Sequence, residues 1–240
     1  MNIIIPMAGE GKRLSDAGIT TPKPLVEVKE RMLVEWALTS LEFYDARRDR
    51  LVFICLRRHI AEYGLDKKLK ARFPSCTIIV ADGVTKGQVC SVLLARDLID
   101  GQPLIIHNND TVFRSSLAHR INELLLRHDG VISVFRSNHP CYSYAKVGSD
   151  GFITEVAEKR VISDYATVGL YAFSDGRDFV RAAEAMIKKG ITHNNEYYVG
   201  PCYNELIAEG KRFVIDESNE VYDLGTPEGI ERFQEGYRET

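Results

Sequence analysis

The chain has 240 residues, of which 45% are hydrophobic, and its 31 basic and 34 acidic residues leave a formal net charge of −3. This length and apolar content predict a single domain over residues 1–240 with a substantial core. The near-neutral charge excludes a basic surface for nucleic acid or an anionic membrane, and no apolar run approaches the roughly 20 residues of a membrane span.

The amino terminus and the cysteines bear on the cellular location. Residues 1–6 contain no basic segment leading into a long apolar stretch, so the sequence predicts no signal peptide. The absence of a Cys-x-x-Cys pair argues against a zinc site and favours reduced, mostly buried thiols. The cysteines are Cys55, Cys76, Cys90, Cys141 and Cys202. We therefore expect a cytoplasmic protein.

Short apolar strands alternate with helical patterns in the first part of the chain. Strands are predicted at residues 2–5, 51–56, 77–81, 104–106 and 130–135. Helices are predicted between them, at residues 32–43, 88–98 and 116–128. Apolar strands joined by helices predict a parallel sheet that is covered on both faces.

The later part of the chain mixes hairpin, strand and helix signals. We predict a hairpin at 144–158 around Asp150-Gly151, a strand at 167–173 and a helix at 178–189 before Gly190. We then predict a partly helical segment at 195–209 with a break at Pro201, a strand at 212–216 and a helix at 227–237. Because no linker or repeat intervenes, these elements are expected to extend the same sheet.

The first strand leads into a glycine-rich turn, Ala8-Gly9-Glu10-Gly11-Lys12-Arg13. Backbone N–H groups of such a turn approach phosphate oxygens closely, and Lys12 and Arg13 add positive charge. The turn lacks the third glycine of the dinucleotide fingerprint and the Gly-Lys-Ser/Thr ending of a P-loop. Taken alone, it is explained equally well as a tight turn between a strand and a helix.

A second basic element follows at Thr21-Pro22-Lys23-Pro24-Leu25. The two prolines keep the backbone extended on both sides of Lys23. A lysine held next to a phosphate-binding turn suits a reaction in which negative charge develops on phosphorus. Without the glycine turn before it, an exposed lysine in a proline-rich turn is the simpler interpretation.

Together the two segments resemble the sugar-phosphate nucleotidyltransferases, also called NDP-sugar pyrophosphorylases. The resemblance implies an α/β, Rossmann-like three-layer domain with a mixed, mainly parallel sheet. It also implies that the glycine turn binds the triphosphate, while Arg13 and Lys23 are catalytic and stabilise the phosphorus centre and the leaving pyrophosphate. By the same resemblance Asp82, Thr85 and Gly87 contact the base and ribose of the nucleotide.

The resemblance also implies a Mg²⁺ site formed by Asp110 and Asp223. Asp110 follows the strand at 104–106, where parallel sheets bind ligands, and His107 beside it is expected to be structural. Asn109 stands where the family usually has glycine. An aspartate that starts a turn is a simpler explanation of Asp110 alone. Thr226-Pro227 predicts a helix cap whatever the function is.

A third set of residues is assigned to the acceptor, a small phosphate monoester. In the family the lysine of the Glu158-Lys159 pair binds the acceptor phosphate, although a Glu-Lys pair alone is common on surfaces. The remaining acceptor contacts are expected from Asn109, Thr167, Gly169, Asn195 and Glu196. The alternative for Asn195 and Glu196 is that they merely end a loop and cap a helix.

Further segments resemble a short branch of this family from bacterial capsule and surface-glycan clusters. We expect CTP as the donor, and we leave open a sugar, polyol or amino-acid-derived phosphate as the acceptor. Acetyltransferase activity is not expected, and a homodimer is compatible with the resemblance. Three other classes stay open: a dinucleotide-dependent oxidoreductase, a metal-dependent glycosyltransferase, which normally has an Asp-x-Asp pair where this chain has Asn108-Asn109-Asp110, and a non-catalytic nucleotide-sugar sensor.

Overall fold

The computed structural model describes residues 1–238. Its strands are β1 (Asn2–Met7), β2 (Glu27–Val28), β3 (Arg31–Met32), β4 (Arg50–Leu56), β5 (Thr77–Ala81), β6 (Leu104–His107), β7 (Thr111–Arg114), β8 (Gly130–Arg136), β9 (Tyr144–Val147), β10 (Ile153–Ala157), β11 (Tyr165–Phe173), β12 (Phe213–Glu217) and β13 (Glu220–Asp223). Its helices are α1 (Lys12–Asp16), α2 (Leu33–Thr39), α3 (Arg57–Tyr63), α4 (Leu65–Arg72), α5 (Gln88–Leu93), α6 (Leu117–Arg127), α7 (Gly176–Lys189), α8 (Cys202–Ala208) and α9 (Pro227–Gly236). Single 3-10 turns lie at Lys23–Leu25 and Arg96–Leu98.

The central sheet is mixed. Strands β5, β4, β1 and β6 lie side by side and run parallel. Strand β11 pairs antiparallel with β6 and with β8, and β12 then pairs parallel with β8. The hairpin of β9 and β10 joins the sheet beside the start of β11. The predicted α/β class with a mixed, mainly parallel sheet is therefore confirmed.

Each face of the sheet buries its own hydrophobic core, because successive side chains of a strand point to opposite faces. Ile4 of β1 packs into the core formed with α5, α7 and α8. Ile3 and Ile5 pack into the opposite core, formed with α2, α4 and α6. Burying one such side chain contributes about 1.5–3 kcal/mol. The result is the three-layer arrangement that the resemblance implied.

A smaller core attaches the C-terminal helix α9 close to the end of β13. The indole N–H of Trp36 donates to the carbonyl of Val28 at 2.7 Å, and its ring packs edge-on against Phe233, with centroids 5.0 Å apart. The predicted helix cap is present at the start of α9, where the Thr226 hydroxyl accepts from the N–H of Gly229 at 3.0 Å. This packing holds the chain just after Asp223 in place.

Three predicted helical segments are shorter than expected. The segment at 32–43 is helical only to Thr39, whose hydroxyl donates to the Trp36 carbonyl. The segment at 88–98 leaves the α-helix after Leu93, because the N–H groups of Leu94 and Ala95 bond three residues back instead of four. The segment at 195–209 is helical only after Pro201, so the predicted break is confirmed. Residues 195–201 form no helix, and the prediction is wrong for that part of the segment.

The helices of residues 1–238 are too short or too polar to cross a membrane.

Candidate active site

A cleft of about 720 Å³ opens at the carboxyl ends of β1 and β6, the end of such a sheet at which ligands bind. The glycine turn after β1 forms one part of its lining. Residues after β5 and β6 form the floor, and segments from the later half of the chain form the opposite wall. The cleft thus collects residues that are far apart in the sequence.

The glycine turn packs directly against Lys23. Gly11 has a φ of 69°, in the left-handed region that favours glycine. A Cβ at this residue would lie 3.0 Å from the Cβ of Lys23, so any larger residue would push the turn away. Lys12 lies at the exposed mouth of the cleft, where it forms an ion pair with Glu10 at 3.0 Å.

Two cations and two carboxylates meet in the floor of the cleft. Arg13 donates to Asp223 at 2.7 Å and to Asp110 at 3.3 Å. The ammonium group of Lys23 also contacts the Asp110 carboxylate. Burial alone raises the pKa of Asp110, but the charges of Lys23 and Arg13 outweigh burial and hold that pKa below its usual value. Asp110 is therefore a buried carboxylate that stays ionised.

The two aspartates are brought together by a short antiparallel ribbon of β7 and β13. Asp223 pairs with Thr111 in its register, and the N–H of Leu224 donates to the Asp110 carbonyl at 2.7 Å. Gly225 follows at the point of closest approach. A Cβ there would lie 2.3 Å from the Asp110 carboxylate and 2.6 Å from the Arg13 guanidinium. Only glycine leaves the space that this charged cluster occupies.

The chemistry of this pair fits a hard divalent cation. Carboxylate oxygens are the protein ligands that Mg²⁺ prefers, usually one or two of them together with phosphate oxygens and waters. Within residues 1–238, no three His, Cys, Asp or Glu side chains are grouped to hold a metal by themselves. Asp110 and Asp223 are thus the residues that could supply protein ligands to such a cation.

His107 lies behind the aspartates and has the structural position that we predicted. Its ring is fully buried, and Nε2 lies 3.2 Å from the carbonyl of Ala37. Burial lowers the pKa of this imidazole to about 4, so the ring is neutral at physiological pH.

The loop before α5 lies beside the glycine turn, as expected for a nucleotide-binding loop. The N–H of Thr85 donates to the Ala8 carbonyl at 3.4 Å, and the Thr85 hydroxyl lies 2.6 Å from that of Ser91. Gly87 has a φ of 98°, and a Cβ there would lie 2.6 Å from backbone atoms of Tyr197. Gly87 thus allows the two walls of the cleft to touch.

The structure does not bring Asp82 into the cleft with Thr85 and Gly87. Its carboxylate is 83% exposed and pairs with Arg57 at 2.6 Å, at the start of α3. The strand before it, β5, is the outermost strand on this side of the sheet, so the Asp82 side chain has solvent beside it. The assignment of Asp82 to the nucleotide has no support from this placement.

We expect Gly87→Ala to weaken both the fold and nucleotide binding, because the left-handed backbone and the contact with Tyr197 leave no room for a methyl group. The cost should be about 1–3 kcal/mol of unfolding free energy, measured by chemical denaturation, together with a raised KM for the nucleotide. Gly151→Ala is the control, since Gly151 also has a positive φ but has no atom near its Cβ position. Equal stability losses in both variants would remove the special role of the Gly87 contact.

The residues assigned to the acceptor line the opposite wall of the same cleft. Glu158 accepts a short hydrogen bond from the Ser143 hydroxyl, and Lys159 approaches the Tyr198 hydroxyl at 3.4 Å. The Thr167 hydroxyl lies 3.1 Å from that of Tyr171. The remaining members of this set also line the cleft: Asn109, Gly169, Asn195 and Glu196.

Asn195 and Glu196 belong to a tight turn and not to a helix end. His193 and Glu196 exchange two backbone hydrogen bonds of 3.0 Å. The turn residues Asn194 and Asn195 have φ values of 50° and 61°, a conformation that asparagine tolerates better than most residues. The turn points Asn195 and Glu196 at the cleft, which settles the choice between turn and helix cap in favour of a turn.

Several residues of the cleft were not among the predicted ones. Gln88 donates through Nε2 to the side-chain oxygen of Asn108 at 2.5 Å, which connects helix α5 to the residue that follows β6. Cys141 and Tyr142 also line the cleft. Cys141 is the exposed member of a set of thiols that are mostly buried, as predicted. Asn108 carried a usable signal, as a polar residue directly after an apolar strand, whereas Cys141 and Tyr142 belong to no motif.

The sequence is similar to those of known proteins. The family model described as nucleotidyl transferase matches residues 2–240. The bifunctional protein GlmU of Methanococcus maripaludis is 22% identical over 95% of this chain and 52% of its own length. A bifunctional sugar-1-phosphate nucleotidylyltransferase/acetyltransferase of Sulfurisphaera tokodaii is 25% identical over 96% of this chain and 54% of its own. The chain thus spans about half the length of these curated relatives.

Among solved structures, a nucleoside-diphosphate-sugar pyrophosphorylase from Vibrio cholerae RC9 superposes with a TM-score of 0.81. It is 26% identical, and the match covers 97% of this chain and 99% of that protein.

Proposed function

The chain belongs to the nucleotidyl transferase family, and on that premise we propose that it transfers a nucleoside monophosphate from an NTP to a small phosphate monoester and releases pyrophosphate. The observation that carries the proposal is the contact of both Arg13 and Lys23 with the buried Asp110, next to a glycine turn. Two cations on the floor of a cleft of about 720 Å³ suit a reaction that moves charge between phosphates.

In this reaction an oxygen of the acceptor phosphate attacks the α-phosphorus, and the bond to the β-phosphate breaks. A phosphate monoester has its second pKa near about 6 and is mostly ionised at neutral pH. The cleft therefore needs no strong general base, and catalysis rests on positioning and charge stabilisation. Arg13 and Lys23 stabilise the negative charge on the transferred phosphate and on pyrophosphate, while Lys159 holds the acceptor phosphate.

Asp110 and Asp223 would hold the divalent cation that this family chemistry calls for. When bound, Mg²⁺ neutralises the triphosphate and polarises its oxygens. We assign the aspartates a second task, the orientation of Arg13 and Lys23, and the ion pairs described above support it.

We expect activity to require a divalent cation. EDTA should abolish pyrophosphate release, and Mg²⁺ added in excess should restore it, because without a cation between them the two carboxylates repel the triphosphate. Thermal unfolding of the same samples provides the control: the melting temperature should not collapse when EDTA is added. Full turnover in EDTA would remove Asp110 and Asp223 from any metal-binding role.

Lys159→Ala should raise the KM of the acceptor by about 10- to 100-fold, the loss expected for one charge-assisted hydrogen bond. The KM of the NTP should stay within about threefold, since Lys159 lies on the acceptor wall. The neighbouring Arg160, which pairs with Glu155 at 2.5 Å and lies outside the main cleft, offers Arg160→Ala as a matched control. A rise in the NTP KM with an unchanged acceptor KM would show that Lys159 contacts the NTP and not the acceptor.

The experiment that tests the function is an array of NTPs against phosphate monoesters, read by pyrophosphate release. Release that depends on both substrates supports a nucleotidyltransferase. Transfer of a sugar from an NDP-sugar without pyrophosphate release favours the glycosyltransferase alternative. Tight nucleotide binding without turnover for any pair favours the sensor.

We propose CTP as the donor to be tested first, in the synthesis of a surface polysaccharide. The cytoplasmic location, the homodimer and the single domain over residues 1–240 also remain predictions.

A further inference from the structure

Two carboxylates face the acceptor end of the cleft. Glu158 is half-buried, and Glu196 is exposed at the end of the turn described above. Both line the main cleft and also a smaller adjoining cavity of about 200 Å³. The two carboxylates therefore lie on the acceptor side of the cleft, next to this adjoining cavity.

The hydrogen-bond donors to these carboxylates are neutral hydroxyl groups. Ser143 donates to Glu158, and the Tyr198 hydroxyl donates to Glu196. Burial raises the pKa of Glu158, the Ser143 hydrogen bond and the charge of Lys159 oppose that rise, and the negative charge of Glu196 adds a smaller contribution to it. A hydroxyl group satisfies a carboxylate oxygen, but it leaves the net charge in place.

Five cations line the cleft, and one of them, Lys86, lies near Cys90 of α5. Lys12 pairs with Glu10, while Arg13 and Lys23 hold the aspartates of the floor. Lys159 does lie near Glu158, but in the proposed reaction it binds the doubly charged acceptor phosphate. In the adjoining cavity Arg160 is paired with Glu155 at 2.5 Å. Once Lys159 holds the acceptor phosphate, Glu158 and Glu196 face the rest of the acceptor without an ion pair from residues 1–238, and Lys12, paired with Glu10, acts on Glu196 only from beyond ion-pair distance.

An aromatic ring completes this end of the cleft. Tyr198 lines the cleft, and the ammonium group of Lys159 already lies 5.4 Å from the centroid of the Tyr198 ring. Such a distance is that of a cation–π contact. The surroundings of Glu158 and Glu196 thus combine negative charge with a ring face, and both features attract a cation.

We propose that the acceptor of this enzyme is a phosphate monoester that carries an ammonium group, and that Glu158 and Glu196 are the residues that select it. The inference rests on the proposed function, because it takes Lys159 as the ligand of the acceptor phosphate. An uncharged sugar phosphate satisfies hydrogen bonds here but leaves both negative charges uncompensated. An ammonium group compensates them and donates to both carboxylates.

The test compares the binding of two isosteric esters, phosphoethanolamine and n-propyl phosphate, which differ by an ammonium in place of a methyl group. Binding is measured by calorimetry, alone and with α,β-methylene CTP or UTP present, so that no turnover is needed. We expect phosphoethanolamine to bind roughly tenfold tighter or more, the gain expected for a charge-assisted hydrogen bond. Equal affinities, tighter binding of glucose 1-phosphate than of both esters, or no binding of phosphoethanolamine would each overturn the inference.

Glu196→Gln and Glu158→Gln assign the preference to residues. Each substitution keeps the shape of the side chain and removes its charge, so the ratio of the two affinities should fall towards one. Glu184→Gln is the control, because Glu184 is a carboxylate of α7 that pairs with Arg96 outside the cleft. If Glu158→Gln fails to fold, the exposed Glu196 still tests the proposal. If the ratio of the two affinities is unchanged in Glu196→Gln and in any folded Glu158→Gln protein, the two glutamates do not select the acceptor.

The outcome can be separated from that of the proposed function. Pyrophosphate release with some ester, together with equal binding of the isosteric pair, keeps the transferase and refutes the ammonium-bearing acceptor. A clear preference for phosphoethanolamine that the glutamate substitutions abolish supports the selectivity of this cavity, even if no ester releases pyrophosphate and the transferase fails.

Discussion

Asp110→Asn should lower kcat for pyrophosphate release by about 10³-fold or more, the scale of losing a metal ligand or a central charge stabiliser. The substitution keeps the size of the side chain but removes the charge that Lys23 and Arg13 contact. It also removes one of the two carboxylates assigned to the cation. A single change thus affects both the proposed metal site and the contacts of Arg13 and Lys23, the two proposed catalytic cations.

The fold of this variant should survive, because the partners of Asp110 can reach solvent. The Arg13 side chain is 55% exposed and keeps its ion pair with Asp223. We expect a melting temperature lower by about 2–8 °C, which corresponds to about 1–2 kcal/mol in a chain of this size. Because charges keep the folded-state pKa of Asp110 low, its contribution to stability is present above the unfolded-state pKa and is lost as the pH falls through the folded-state value.

Asp216→Asn is the matched control for a buried aspartate. Asp216 is 3% exposed and bonds to Ser116 at the start of α6, outside the cleft. Its substitution should change the melting temperature while leaving kcat within about threefold. If Asp110→Asn retained comparable turnover, or lost its near-ultraviolet circular dichroism, the residue would be structural and not catalytic.

The parallel core of the fold was predictable because its signals are local. Strands such as β1 and β4 are continuous apolar runs, buried on both faces, and the runs are visible without knowledge of their partners. Helix α4 gave no such signal, since only Leu65 and Leu69 of its eight residues are buried among charged neighbours. The ribbon of β7 and β13 was also missed, because four-residue strands more than a hundred residues apart show no periodicity in a sequence window.

The candidate site was predictable where a motif specified backbone geometry. Gly11 and Gly87 adopt left-handed conformations at close contacts, which is why glycine at those positions is informative. The exposed Asp82 shows the limit, because a motif position does not determine where a side chain at the sheet edge points. The contact between Gln88 and Asn108 depends on the packing of α5 against the end of β6, which no local pattern describes.

Lys23→Ala should lower kcat by about 10²–10³-fold while changing the KM of the NTP only a few-fold. The 3-10 turn at Lys23–Leu25 and the packing of Lys23 against Gly11 hold the base of the side chain. Its ammonium group reaches Asp110, at the place where the bond to pyrophosphate breaks in the proposed reaction. A charge held there matters more in the transition state than in the bound substrate, so turnover falls more than affinity.

Lys12→Ala separates this effect from a general loss of positive charge. Lys12 belongs to the same glycine turn, but its ammonium group is exposed and paired with Glu10 instead of Asp110. Its removal should raise the KM of the NTP and leave kcat within about threefold, since a contact made equally in the ground state and the transition state affects binding alone. Steady-state kinetics of both variants, with Mg²⁺ and acceptor saturating, measure the two parameters separately. If Lys23→Ala changed only KM, or if both lysines changed kcat equally, the cleft would bind the triphosphate through its net charge, and Lys23 would have no specific part in bond cleavage.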